Sequence, residues 1–245
     1  MTACWRIGTS GWHYPHWRSV FYPGKLPPGK WLEYYARHFD SVEINSSFYR
    51  LPTEQTVARW CDATPDNFRF AIKASRLISH MKKFSDVTDY LNILIERSRG
   101  LGSKLGPVLF QSPPHWQKDS ARLENFLSLL PHGMKWAFEL RHPSWHCEEI
   151  YRLLNARGAA FCIYDLAGFT SPAVVTADYA YLRLHGPEEA YRGRYGAERL
   201  APWVEWLSQQ SGLRQVYFYF DNDQAGYAVE DALLLRQLVG QPVLP

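Results

Sequence analysis

The sequence predicts an α/β fold, a single (β/α)8 TIM-type barrel over residues 1–245 with long aromatic-rich loops following its strands. Three observations predict it. Strand-like and helix-like segments alternate about eight times, which suits a closed barrel. No linker, composition shift or internal repeat interrupts the series. Polar residues gather where each strand gives way to its loop, the face on which such barrels carry their sites. A doubly wound sheet is the competing arrangement, and no GxGxxG or P-loop accompanies the first strand.

Trp5 to Gly8 reads as the first strand and ends in TSGW, followed by a long loop holding His13, Tyr14, His16, Trp17, Arg18, Phe21 and Tyr22. WLEYYARHF, 31 to 39, has apolar residues at helical spacing and delivers the chain to the second strand, 41 to 45. Thr53 opens a second helix that stops at Pro65. The third strand is 68 to 75, with a helix over 86 to 101; the fourth is 106 to 111, stopped by Pro113 and Pro114, with a helix over 119 to 130. The fifth is 135 to 141, with a helix over 146 to 157 closed by Gly158. The sixth strand is 159 to 165, and no strong helix follows it, only a Gly, Ser and Pro connection. The seventh and eighth are 179 to 186 and 215 to 223, with helices over 198 to 210 and 225 to 239.

Composition bounds the function. An apolar share of 46% and a charged share of 21% are those of a globular domain able to bury a core. The net charge of +3 is too small to imply nucleic acid or an anionic membrane by itself. Cys4, Cys61, Cys147 and Cys162 have neither CxxC spacing nor a paired rhythm, so they read as reduced thiols. No apolar run approaches the ~20 residues of a membrane helix. The expectation is a soluble, cytoplasmic protein without a membrane partner.

SVEINSSFYRLP, residues 41 to 52, shows the pattern of the strand ends best. Glu43 and Asn45 share one face while Val42 and Ile44 share the other. The same parity pairs Glu139 with Arg141 and Arg183 with His185. Ser10, Lys73, Gln111, Asp165 and Asp221 to Asp223 complete the polar strand ends. A lone Lys or Arg at a strand end is usually a solvated tip, and Glu139 beside Arg141 is also what a local ion pair looks like. A ring of several carboxylates and cations is costly to desolvate, several kcal/mol per unpaired charge, unless the site is used.

IGTSGWHYPHW, FDSVEINSSFYRLP, FRFAIKASRLISH, GPVLFQSPP, WAFELRHPSW, YLRLHG with the following YRGRYG, and VYFYFDND together resemble the YecE-like family, domain of unknown function 72, over nearly the whole chain. The resemblance implies a TIM barrel and an enzyme whose reaction has not been assigned. Ser79 before His80, Ser112 before the prolines, and Asp221 where Asn is usual in the family depart from its pattern beside the site.

Three chemistries fit these residues. In the leading one Glu43, Lys73, Glu139 and His185 are catalytic, by acid/base chemistry on an anionic substrate: a phosphate-bearing sugar, a nucleotide or nucleic acid. Ser10, Trp12, Tyr14, Asn45, Tyr49, Gln111, Arg141, Arg183, Tyr191, Arg194, Asn222 and Asp223 would bind it, with Arg50, Arg76 and Arg192 in adjoining loops. Trp12, Tyr14, Trp17, Tyr49 and Trp145 would supply stacking, although packing between loops accounts for many such rings. The second reading is a metal-dependent hydrolase or isomerase, with a divalent metal on Glu43, Glu139, Asp165, His185 and Asp223; no HExxH spacing supports it. Glycoside hydrolysis by Glu43 and Glu139 is a third, opposed by the adjacent cations. A non-catalytic module for an anionic ligand or nucleic acid is the alternative to all of them.

Overall fold

The computed structural model describes residues 3–241. The chain runs β1 (Cys4–Thr9), α1 (Trp31–His38), β2 (Ser41–Ile44), α2 (Glu54–Asp62), β3 (Arg69–Lys73), α3 (Thr88–Arg99), β4 (Leu105–Gln111), α4 (Ser120–Leu129) and β5 (Trp136–Glu139). It continues through α5 (Glu148–Ala156), β6 (Ala160–Leu166), β7 (Phe169–Thr170), β8 (Tyr179–Leu184), α6 (Gly196–Ser208), β9 (Gln215–Phe220) and α7 (Tyr227–Leu238). Apart from β7 the strands are parallel neighbours in the order β1-β9-β8-β6-β5-β4-β3-β2. The ring closes where Ser10 bridges Glu43. The closing strands approach so tightly that a Cβ on Gly8 would lie 2.0 Å from the Ser41 carbonyl oxygen, so β1 needs glycine there.

Strand parity divides the apolar residues into two layers. Val42, Ile44, Phe70, Ile72, Val108, Phe110, Phe138, Phe161, Ile163, Leu182, Phe218 and Phe220 belong to the large core between barrel and helices. Ala71, Leu109, Ala137, Ala160, Cys162, Tyr179, Tyr181, Tyr217 and Tyr219 form a separate cluster inside the barrel. Its composition is lopsided: small residues on β3, β5 and β6 leave the volume that the tyrosines of β8 and β9 fill, giving a packed interior rather than a pore.

The expected elements are present, with ends that differ by a few residues. No helix follows β6, as its Gly, Ser and Pro connection predicts. Residues 167–178 instead turn back as β7 against β6 and then run beside it. There Ser171 Oγ accepts from Tyr164 N (2.9 Å) and Thr176 Oγ1 from Phe161 N (2.8 Å), satisfying donors that would otherwise be buried bare.

The fifth, seventh and eighth strands end earlier than the sequence suggests, at Glu139, Leu184 and Phe220, so Arg141, His185 and Asp221 lie just past the strands. Ladder bonds still reach some of these positions. His185 N donates to Asp165 O (2.8 Å), Asp221 N to Leu184 O (2.8 Å) and Ser10 N to Phe220 O (2.8 Å). The mouth of the barrel is therefore held almost as rigidly as its wall. No helix among the described residues is long and apolar enough to cross a membrane.

Candidate functional site

The polar strand ends meet around one guanidinium. Arg183, fully buried beyond the interior tyrosines, donates from Nε and Nη2 to Glu43 Oε1 (3.1 and 2.8 Å) and from Nη1 to Glu139 Oε2 (2.5 Å). Its Nη2 also lies 3.4 Å from Asp221 Oδ2. Glu43 is completed by Ser10 Oγ (2.6 Å) and by the Tyr181 hydroxyl on Oε2 (2.6 Å). Glu139 Oε1 accepts from Gln111 Nε2 and Arg141 Nε, both at 2.7 Å, with His185 Nε2 at 3.4 Å. His185 Nδ1 sits 3.0 Å from Asp221 Oδ2.

This density of pairing explains how such charges tolerate burial. Burial alone would raise the Glu139 carboxyl, yet Arg183, Arg141 and His185 outweigh it and hold it well below the usual carboxylate range. Asp221 is likewise held low against burial, by the His185 hydrogen bond and the charge of Arg183. A Glu139 held ionised is unsuited to the protonated acid of glycoside hydrolysis.

At the rim, valence is left over. Arg141 spends Nε on Glu139, and neither of its Nη atoms has a hydrogen-bond partner among the described residues. Lys73 Nζ hangs 4.5 Å over the Phe48 ring, also without a hydrogen bond among them. Burial first, and then the charge of Arg183, push this amine down to about 8 against the pull of Glu139, Glu43 and Asp221. His80 also packs against Phe48, with ring centroids 5.0 Å apart, and its Nδ1 meets Ser79 Oγ at 2.9 Å. Burial and the nearby Lys73, Arg141 and Arg76 push His80 down to about 4, so its imidazole is neutral at neutral pH.

Beside the charged cluster, Gly11, Trp12, His13, Tyr14, Asn45, Ser46 and Trp60 line a largely apolar cavity of about 460 Å³. Ser10 joins the two, since its carbonyl accepts from Tyr14 (2.5 Å) and Asn45 (3.4 Å) while its hydroxyl binds Glu43. Asn45 Oδ1 is buried there without a partner among the described residues.

Of the residues expected in the site, Ser10, Glu43, Asn45, Lys73, Gln111, Glu139, Arg141, Arg183 and His185 converge, with Trp12 and Tyr14 on the adjoining cavity and Tyr191 at the rim, its ring 5.8 Å from His185. The others do not. Asp165 and Asn222 have the outward parity of their strands. Asp165 accepts from Thr170 and Tyr195 (2.6 and 2.7 Å), and Asn222 donates to Gly193 O and Asp231, both at 2.8 Å. Asp223 turns to Trp17 Nε1 (2.6 Å) and His16 (3.0 Å). Arg194 pairs with Glu230 on α7 over the Tyr227 ring, and Tyr49 is 74% exposed against the edge of Phe48. Trp17 and Trp145 are fully buried and offer no face for stacking. Of the neighbouring loop arginines, Arg192 is paired with Glu189.

Of the five residues expected to hold a metal, Asp165 and Asp223 thus stand apart from Glu43, Glu139 and His185, Arg183 lies between Glu43 and Glu139, and no group of three or more His, Cys, Asp or Glu among the described residues is placed to hold a metal ion. Tyr181 and His80 belong to the site and escape the strand-end reading. Tyr181 was findable, because it precedes Arg183 by two and shares its face. His80 sits on a π-helical turn, Leu77–Met81, which no hydrophobic period announces.

Comparison with known proteins follows the same outline. Residues 6–244 match the family described as protein of unknown function DUF72. The chain is similar to the UPF0759 protein YecE of Escherichia coli K12, 31% identical over 91% of this chain and 88% of that one. It is also similar to YunF of Bacillus subtilis, 25% identical over 95% and 94%. A solved DUF72 structure from Thermotoga maritima superposes with a TM-score of 0.87 at 27% identity, covering 97% of this chain and 100% of the other. One from Enterococcus faecalis, at 22% identity and a TM-score of 0.82 over 98% of each chain, shares the fold.

Proposed function

The chain belongs to the DUF72 family, and on that premise we propose that its barrel mouth is the active site of an enzyme that works by acid–base chemistry on a small anionic substrate. One observation carries the reading. The carboxylates of Glu43 and Glu139 are enclosed and fully engaged, whereas the donors left over at the rim belong to two cations, Lys73 and Arg141. A planar guanidinium with open Nη atoms suits a phosphate or carboxylate. The ring or chain of the substrate would enter the adjoining cavity, where Trp12 offers an aromatic wall.

In this reading Lys73 and His80 move protons, being groups whose charged forms are disfavoured by their surroundings. Glu43, Glu139, Arg183 and His185 act as positioning residues that fix Arg141 and the electrostatics of the mouth. Asp221 adds a carboxylate at its edge. Titration with inorganic phosphate, followed by thermal unfolding, tests the proposal. Phosphate is expected to raise the melting temperature of the native protein and to lose most of that effect in Arg141→Ala. An equal rise in both, or none in either, refutes it.

A further inference from the structure

Two lysines of the described chain are buried to the same degree, and they are served very differently. Lys104 is 8% exposed, and its ammonium donates to Cys61 O and Thr64 O (both 2.6 Å) and lies 3.3 Å from Thr64 Oγ1. Lys73 is 9% exposed and faces an aromatic ring. An ammonium without acceptors loses hydration and gains little in exchange, so such a site favours the neutral amine. Neutral amines are nucleophiles, and barrel strand ends hold them rigidly.

The local structure fixes this amine in place. Lys73 closes β3 on the inward face, and Ala74 N continues the ladder to Leu109 O (2.8 Å). Ser47 Oγ donates to the Lys73 carbonyl (2.6 Å), clamping the turn that carries Phe48 against the strand end. His80 packs perpendicular to Phe48, so a neutral imidazole and the amine both contact that ring.

We propose that the Lys73 amine is a nucleophile that forms an imine with a small aldehyde or ketone bearing a phosphate or carboxylate. The choice of an anionic carbonyl compound rests on the function proposed above; the imine itself does not. The nitrogen lone pair attacks the carbonyl carbon, forming the C–N bond as the C=O π pair moves to oxygen. The proton released by nitrogen passes to that oxygen through solvent at the rim. The carbinolamine then expels water, with proton help, as the nitrogen lone pair forms C=N, and hydrolysis reverses the sequence. No oxidant or reductant enters. Arg141 holds the anionic group.

Incubating the full chain with glyoxylate and cyanoborohydride at pH 7.5, then mapping peptides by mass, tests this, because reduction turns the imine into a stable carboxymethyl amine. A lysine titrating at about 8 is roughly a quarter neutral at that pH, against about one part in a thousand for an ordinary surface lysine. Its lower basicity reduces its intrinsic reactivity, leaving an expected preference on the order of tenfold over exposed lysines such as Lys25 and Lys83. Label on Lys25 and Lys83 with Lys73 unmodified overturns the proposal. Uncharged glycolaldehyde separates the two readings. Labelling of Lys73 by both aldehydes to the same extent upholds the nucleophile and removes the anionic substrate, whereas labelling by glyoxylate alone upholds both. The map of the native protein is itself decisive, and Lys73→Met, where it folds, is expected to lose the dominant adduct.

Discussion

Replacing Arg183 by Met removes the cation that two enclosed carboxylates share. Glu139 keeps Arg141 at 2.7 Å, but Glu43 is left with only the Ser10 and Tyr181 hydroxyls, each at 2.6 Å. Breaking a buried ion pair by removing one partner costs about 3–5 kcal/mol, most of it the penalty of the stranded charge. In a chain of this size each kcal/mol shifts the melting temperature by roughly 2–4 °C, so the expected fall is about 6–20 °C. Adding Glu43→Gln removes the stranded charge and is expected to restore part of the loss. The pH dependence changes as well. In the native protein Glu139 has a depressed folded pKa, so its stabilisation is present above its unfolded value of about 4.3 and is lost as pH falls through the folded value. In Arg183→Met the stranded Glu43 charge is relieved when the carboxylate is protonated, so the loss of stability is expected to be smaller at low pH than at pH 8. Urea unfolding followed by tryptophan fluorescence at pH 3, pH 5 and pH 8 reads both effects. An Arg183→Met protein with the native urea midpoint at pH 8 would mean that Arg183 does not stabilise the two enclosed carboxylates.

Three other outcomes are expected. Burial raises the Asp223 carboxyl to about 6 despite the Trp17 and His16 hydrogen bonds. Its contribution is therefore full below its unfolded value of about 3.9 and lost as pH rises through the folded one, so Asp223→Asn should flatten the urea midpoint against pH between pH 4 and 7 and raise it at pH 7. Gly8→Ala drives a methyl against the Ser41 backbone oxygen, and urea unfolding should show a loss of about 1–3 kcal/mol as the closing strands part. Dialysis against a chelator should leave phosphate binding unchanged, because Arg183 already neutralises Glu43 and Glu139; loss of binding, restored by a divalent metal, returns the metal reading.

Most of the barrel and of the candidate site were legible because period two is a strong signal. Glu43, Glu139 and Arg183 alternate with aliphatic or aromatic neighbours, and their parity forces them into the interior. The same rule, applied more strictly, removes Asp165, which follows Phe161 and Ile163 on the outward face, and Asn222, which follows Phe218 and Phe220. The loops resist this treatment. Arg194 is as basic as Arg141, and nothing in its spacing reveals the pairing with Glu230. Burial of Lys73 beneath Phe48 depends on a turn tied down by Ser47, and His80 depends on a π-turn; both are tertiary outcomes without a sequence period.

The most direct measurement is a crystal structure of the full chain with inorganic phosphate. Phosphate oxygens are expected within about 3 Å of the Arg141 Nη atoms and of Lys73 Nζ, over an intact Glu43–Arg183–Glu139 bridge. Phosphate confined to exposed loop residues such as Arg50 and Arg76, with the mouth holding none, contradicts this placement.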